Sequence, residues 1–368
     1  MAVECGRSHF LTLDDDGFVW GFGAHSCGQL GIHRAYIHKR LNSTLTKGIK
    51  LPLKNISAIS CSLDHSVCSD LSGDVFVFGN NSRGQLGVYG LYPRTNPERI
   101  RKLRDIISVH TGDAHTLCID SNNDIYGFGC NGSGQLGLGT EEPFSLPVKL
   151  PAMSNIKTAS CGRDFSIIVN FDGETYSCGA NNRGELGISL DSETFAASPV
   201  LVPGLPSVIS VTCGYMHTLA LSGDGKVFAF GFNGKGQLGL GQDPVLMSSP
   251  PALIENLMDI ASIHCGDRHS IAIDRDGSVW VCGNNEDGQL GLPSITTVYS
   301  FIKLEQIEGV EIASCGSEFT VLKNSEGTWR FGRFCEEDNS PALLPHNVSK
   351  KIGLQRTNQT RTVKSARK

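Results

Sequence analysis

Four copies of Cys-x3-His, namely Cys5/His9, Cys61/His65, Cys213/His217 and Cys265/His269, combine residue types that bind zinc or form a nucleophile–base pair. Zinc would require two such pairs to converge, and a nucleophilic thiol would require its imidazole within hydrogen-bond reach. The same spacing also suits a plainer role, with Cys as a small packed residue and His capping the next strand. Copies spread evenly along a chain occupy equivalent places on successive units, so neighbours stand too far apart for a disulfide or a shared metal. We expect the plainer role.

Residues 127–132 satisfy G-x-G-x-x-G, which holds a dinucleotide only between a strand and a helix. No helical periodicity surrounds them, and sister segments lack one glycine or another. Aspartates fall chiefly in turns, where their side chains bond the local backbone. Trp20, Trp280 and Trp329 share one place in their units and read as buried. No catalytic residue, metal ligand or cofactor is expected.

The elements that carry these residues form a repeat. Gly-Gln-Leu-Gly stands at residues 28–31, 84–87, 134–137, 236–239 and 288–291, with Glu185 replacing Gln at 184–187. Starts are 50–56 residues apart, and a Cys-Gly landmark, or a close variant, precedes each by 23 residues and recurs at Cys315-Gly316. Each unit holds three short apolar runs, the last two joined by a turn such as Asp224-Gly225. Glycine supplies the positive φ that this hairpin needs. A fourth run, as at residues 147–150, 199–202 and 250–254, carries proline and so belongs at a sheet edge. Four strands per unit of about 50 residues make a propeller blade. The chain is therefore expected to be all-β, a closed seven-bladed β-propeller over residues 1–348, most simply a monomer, with a basic disordered tail at 349–368. A spare run at residues 340–345 could complete either the last blade or the first.

The Cys-Gly-x-x-His, Asp-Gly and Gly-x-Asn-x-x-Gly-Gln-Leu-Gly series, clearest at residues 231–239 and 265–269, resembles the regulator of chromosome condensation repeat family. The likeness covers nearly everything but the tail. Thr111 departs from it at Cys, Ser62 at Gly, and Phe165 and Phe319 at His. It implies a protein-binding ring whose first candidate partner is a small GTPase, with guanine-nucleotide exchange as the implied activity. Linkers of similar length leave no room for the β-wedge that the family's founding member uses on Ran. Plant ultraviolet-B receptors of the family carry Trp in the Gly-x-x-His segment, where Arg7, Asp64, Asp113, Tyr215 and Asp267 stand here.

An up-and-down blade puts the Cys-Gly-x-x-His hairpins, with His9, His65, His115, His217 and His269, on one face together with the Gly-Gln-Leu-Gly loops. The opposite face collects the turns and twelve acids, among them Asp14, Asp70, Asp74, Asp120 and Asp124, against Lys226, Arg275 and Lys323. The linkers carry an opposing basic sector: Arg34, Lys39 and Arg40 in the first, and Arg99, Arg101, Lys102 and Arg104 in the second. With the tail, this sector suits an anionic partner, so the alternative reading is a chromatin or nucleic-acid adaptor. A net charge of −5 excludes a uniformly basic surface. Thirteen cysteines without a visible leader or a long apolar run fit a reduced cytoplasmic or nuclear setting.

Overall fold

The structure, a computed structural model, describes residues 1–33, 44–151, 153–189, 194–241, 246–294, 296–334 and 346–347. Seven antiparallel sheets of four strands each follow one another around a ring. Among the described residues there is no helix, and hence none long and apolar enough to cross a membrane.

Blade five shows how the residues dictate the blade. The inner strand Val208–Cys213 alternates buried and wetter positions, because one side faces the central channel. The second strand, His217–Ser222, is buried at every position, since it lies between two other blades. Gly225, at φ 81°, closes the turn into the third strand, Val227–Phe232, its N–H donating to the Ser222 carbonyl at 3.0 Å. At Gly231 the register toward the outer strand Met247–Leu253 shifts. A Cβ on Gly231 would stand 2.6 Å from the Met216 carbonyl oxygen, and its φ is +102°, so only glycine fits. The outer strand is largely exposed, as its prolines require.

The hydrophobic core is divided among the blade-to-blade seams. Leu11, Leu13, Val19 and Leu30 of blade one pack on Ile56, Ile59, Cys68 and Phe78 of blade two, and corresponding clusters fill each later seam. The leucine of every Gly-x-Leu-Gly segment reaches from its loop into such a cluster; Leu30, Leu86, Leu136, Leu186 and Leu238 are completely buried. Each contributes roughly 2 kcal/mol by that burial.

The ring closes between blades seven and one on aromatic side chains. Phe10 of blade one lies 5.2 Å from Phe334 and 6.3 Å from Phe319 of blade seven, ring centroid to centroid. Ser314 Oγ accepts the Cys5 backbone N–H across the same seam. Blade one has its own outer strand, Thr44–Lys50, and His346–Asn347 pairs with Gly327–Gly332. The C-terminal segment therefore completes the last blade; residues 340–345 and the tail 349–368 lie outside the described residues.

Candidate functional site

The five repeat histidines lie beneath the hairpin face, completely buried in the seams. Each Nε2 meets a hydroxyl of the following blade: His9 with Ser66 (2.8 Å), His65 with Thr116, His115 with Ser166, His217 with Ser270 (2.9 Å) and His269 with Thr320. That hydroxyl donates its own hydrogen to the backbone carbonyl of the preceding blade's Gln, as Ser66 does to Gln29 at 2.8 Å. It must therefore accept from the ring, which fixes the proton on Nε2. A Cβ on Gly214 would lie 2.1 Å from the His217 ring, which explains the glycine after Cys. Blade two departs from this pattern productively, because Ser62 donates to the Nδ1 of His65 at 2.7 Å. Where Phe165 replaces His, Thr218 bonds the Glu185 carbonyl at a longer 3.4 Å.

None of these imidazoles addresses the cysteine of its own Cys-x3-His copy. Burial raises the thiols, Cys213 and Cys315 to about 12, so they remain protonated. Among the described residues no cluster of His, Cys, Asp and Glu is arranged to hold a metal. Trp20 and Trp280 are half-buried and donate to Asp14 and Asp274, the first acids of their own turns.

The hairpin face presents the residues between Gly and His. Arg163 pairs with Asp164 at 3.0 Å and lies over the Tyr215 ring at 4.9 Å. Burial pushes Asp113 up to about 7; Asp267 and Asp164 add to this, and Arg163 and Arg7 oppose it. Asp267, also raised by burial, accepts a hydrogen bond from Ser317. The mouth of the channel is thus ringed by mixed charge.

On the opposite face, many acids organise their own turns: Asp70 Oδ1 accepts the backbone N–H groups of Ser72 and Asp74 at 2.9 and 3.0 Å. This face also receives the connections between blades, which a count of turn residues alone omits. Arg99 and Arg104 both pair with Asp74, Arg104 at 3.1 Å, and Lys149 pairs with Asp124 at 2.6 Å. Arg101 and Lys102 are exposed beside them. The basic sector of blade two therefore sits on the acidic face and partly neutralises it. Arg34, Lys39 and Arg40 lie outside the described residues.

Sequence reading missed the seam hydroxyls and the asparagines of the Gly-x-Asn segments. Asn131 accepts from the Leu136 N–H at 2.9 Å and donates to the carbonyls of Thr140 and Glu142. Asn81, Asn181, Asn233 and Asn285 bond the corresponding Leu N–H groups. The recurrence of Asn five residues before Leu was the available signal.

A closed ring of seven four-stranded blades with mixed-charge faces is a β-propeller scaffold for presenting surface. Residues 1–218 match the RCC1-like domain, and residues 224–273 and 276–322 match the regulator of chromosome condensation (RCC1) repeat. The chain belongs to this family. The human probable E3 ubiquitin-protein ligase HERC6 is 32% identical over 324 residues, 87% of this chain and 22% of that protein. Matches to the first curated relatives span only 14–34% of their lengths. Among solved structures, human WBSCR16 is 25% identical with a TM-score of 0.76, covering 88% of this chain and 87% of that one. Prp20p of Saccharomyces cerevisiae, characterised for binding to Gsp1p and histones, is 22% identical with a TM-score of 0.77, covering 87% and 81%.

Proposed function

We propose that this chain is a regulatory interaction ring that holds a protein partner on one of its faces, with a small GTPase as the first candidate and guanine-nucleotide exchange as its activity. The supporting observation is membership of the RCC1-like family combined with the placement of its reactive side chains. Repeat cysteines and histidines are consumed in the seams as neutral groups, whereas the faces carry the charge. Exchange needs no covalent step: a protein surface that competes for the nucleotide's phosphate and magnesium contacts suffices. No bound cofactor is called for. The test is affinity capture from native extract, followed by nucleotide release from each captured GTPase. Faster release with the ring supports the reading; capture without any GTPase, or release at the basal rate, removes it.

A second reading, a chromatin or nucleic-acid adaptor, is favoured by the exposure of Arg99, Arg101, Lys102 and Arg104 on one blade, with Arg34, Lys39, Arg40 and the tail as its further proposed parts. Such binding would weaken steeply with salt. Neutralising the four blade-two residues is expected to reduce nucleosome or DNA pull-down and to leave GTPase capture unchanged.

A further inference from the structure

The residue before each landmark cysteine or threonine lines a channel cavity of about 410 Å³. Four of the seven carry hydroxyls, and three of these serve the seams: Ser160 accepts the Cys213 N–H at 2.9 Å, Ser314 accepts that of Cys5, and Ser60 bonds Thr111; the fourth is Thr212. The other three are Glu4, His110 and His264. Each imidazole bonds a serine of its own strand, Ser108 at 3.1 Å and Ser262 at 3.2 Å.

Glu4 differs from all of these. Its carboxyl has no hydrogen-bond or ion-pair partner among the described residues, and neither Lys nor Arg lines the cavity. Burial alone pushes it up to about 7, and burial holds the two histidines down at about 4, so they add no positive charge. The side chain is half-buried at the channel wall, and its blade-to-blade counterparts show that serine or threonine suffices for the ring. The fold therefore gives no reason for an acid here.

Glu4, His110 and His264 stand two, three and two blades apart around the ring, and no metal-holding cluster is found there among the described residues. No single ion is thus held by all three, and the cavity falls within the usual size of ligand pockets, about 300–1,000 Å³. We propose that the channel binds a small organic ammonium compound, its charge on Glu4 and its remaining polar groups on His110 and His264. A carboxylate wall without a cation disfavours an anionic ligand.

The probes are putrescine and ethanolamine as cations, glycerol as a neutral polyol and acetate as an anion, each titrated into the full chain by calorimetry. Glu4 is followed in parallel by carboxyl-carbon NMR. At least one cation should bind, should lower the pH at which Glu4 titrates, and should lose about thirtyfold or more in affinity in Glu4→Gln. His110→Ala and His264→Ala should each weaken it further. If Glu4→Gln does not fold, the wild-type NMR titration decides alone. Failure of both cations to move the Glu4 titration, equal affinity in folded Glu4→Gln, or glycerol binding as tightly as the cations would overturn the proposal.

Discussion

His9, His65, His115, His217 and His269 each give one ring hydrogen across a seam, and four of them keep a bare Nδ1 in a closed space. Burial holds His9, His65, His217 and His269 at about 3 and His115 at about 4, and the channel's His110 and His264 also at about 4. In an unfolded chain a histidine titrates near 6.5. Below that pH the unfolded chain takes up protons that the ring refuses, so each histidine withdraws about 1.4 kcal/mol of stability per pH unit of acidification. Glu4 and Asp113, both raised to about 7, act in the opposite sense, because the folded carboxyls hold protons that unfolded ones release. Asp64, Glu185, Asp267 and Asp287, also raised by burial, act in the same sense as these two, so six acids oppose seven histidines, each held well below its unfolded value. The urea midpoint followed by circular dichroism should therefore fall between about pH 6.5 and 4.5. In His217→Phe, which copies the natural choice at Phe165 and Phe319, the fall should be shallower by about one proton. An equal or higher midpoint at about pH 5 would contradict this account.

A blade's Gly-Gln-Leu-Gly loop is long for its content of regular structure, and one buried asparagine holds it. Asn131 makes three hydrogen bonds to backbone groups as far as eleven residues away, and its side chain is completely buried. Blade one achieves the same hold with His25, whose Nδ1 accepts the Leu30 N–H and whose Nε2 meets the Ile32 carbonyl. Removing the amide leaves backbone groups unpaired under cover, so Asn131→Ala should cost about 2–3 kcal/mol, against well under 1 kcal/mol for the exposed Asn122→Ala. Thermal unfolding and hydrogen exchange at Leu136 check this; protection at Leu136 equal to wild type would show that the loop holds itself. These loops also mark where sequence reading ran out. Blade number, strand order and turn positions were legible because Gly, Pro and Asp-Gly act locally and recur with a fixed period. The seam was not, since Ser66, Thr116, Ser166, Ser270 and Thr320 find their histidines 51–57 residues away. Glu4 was equally hidden, because the residue before each cysteine varies and only the closed ring brings those positions face to face.

At the scale of the whole ring, charge counted along the chain differs from charge placed on a surface. The turns supply most of the acid on one face, but the connections from outer to inner strands arrive on that same face and bring Arg99, Arg104 and Lys149 to Asp74 and Asp124. A linker that reads as plainly basic is thus partly spent: two of the four cations of blade two share one carboxylate, while Arg101 and Lys102 remain exposed. Exposed pairs of this kind contribute less than about 1 kcal/mol to stability, so breaking them should alter binding more than folding. Asp74→Asn keeps the backbone N–H that bonds Asp70 and releases two arginines at once. If this sector engages a polyanion, Asp74→Asn should bind duplex DNA more tightly than wild type. The slope of log affinity against log salt should then steepen by about one to two, one for each arginine freed to meet a phosphate. Asp124→Asn frees only Lys149, on the next blade, and should steepen it by about one at most. Fluorescence anisotropy across a salt series reads both. If the slope is the same in wild type and Asp74→Asn while both remain folded, the anionic partner does not sit on blade two, and the charge there serves only to balance the turn beside it.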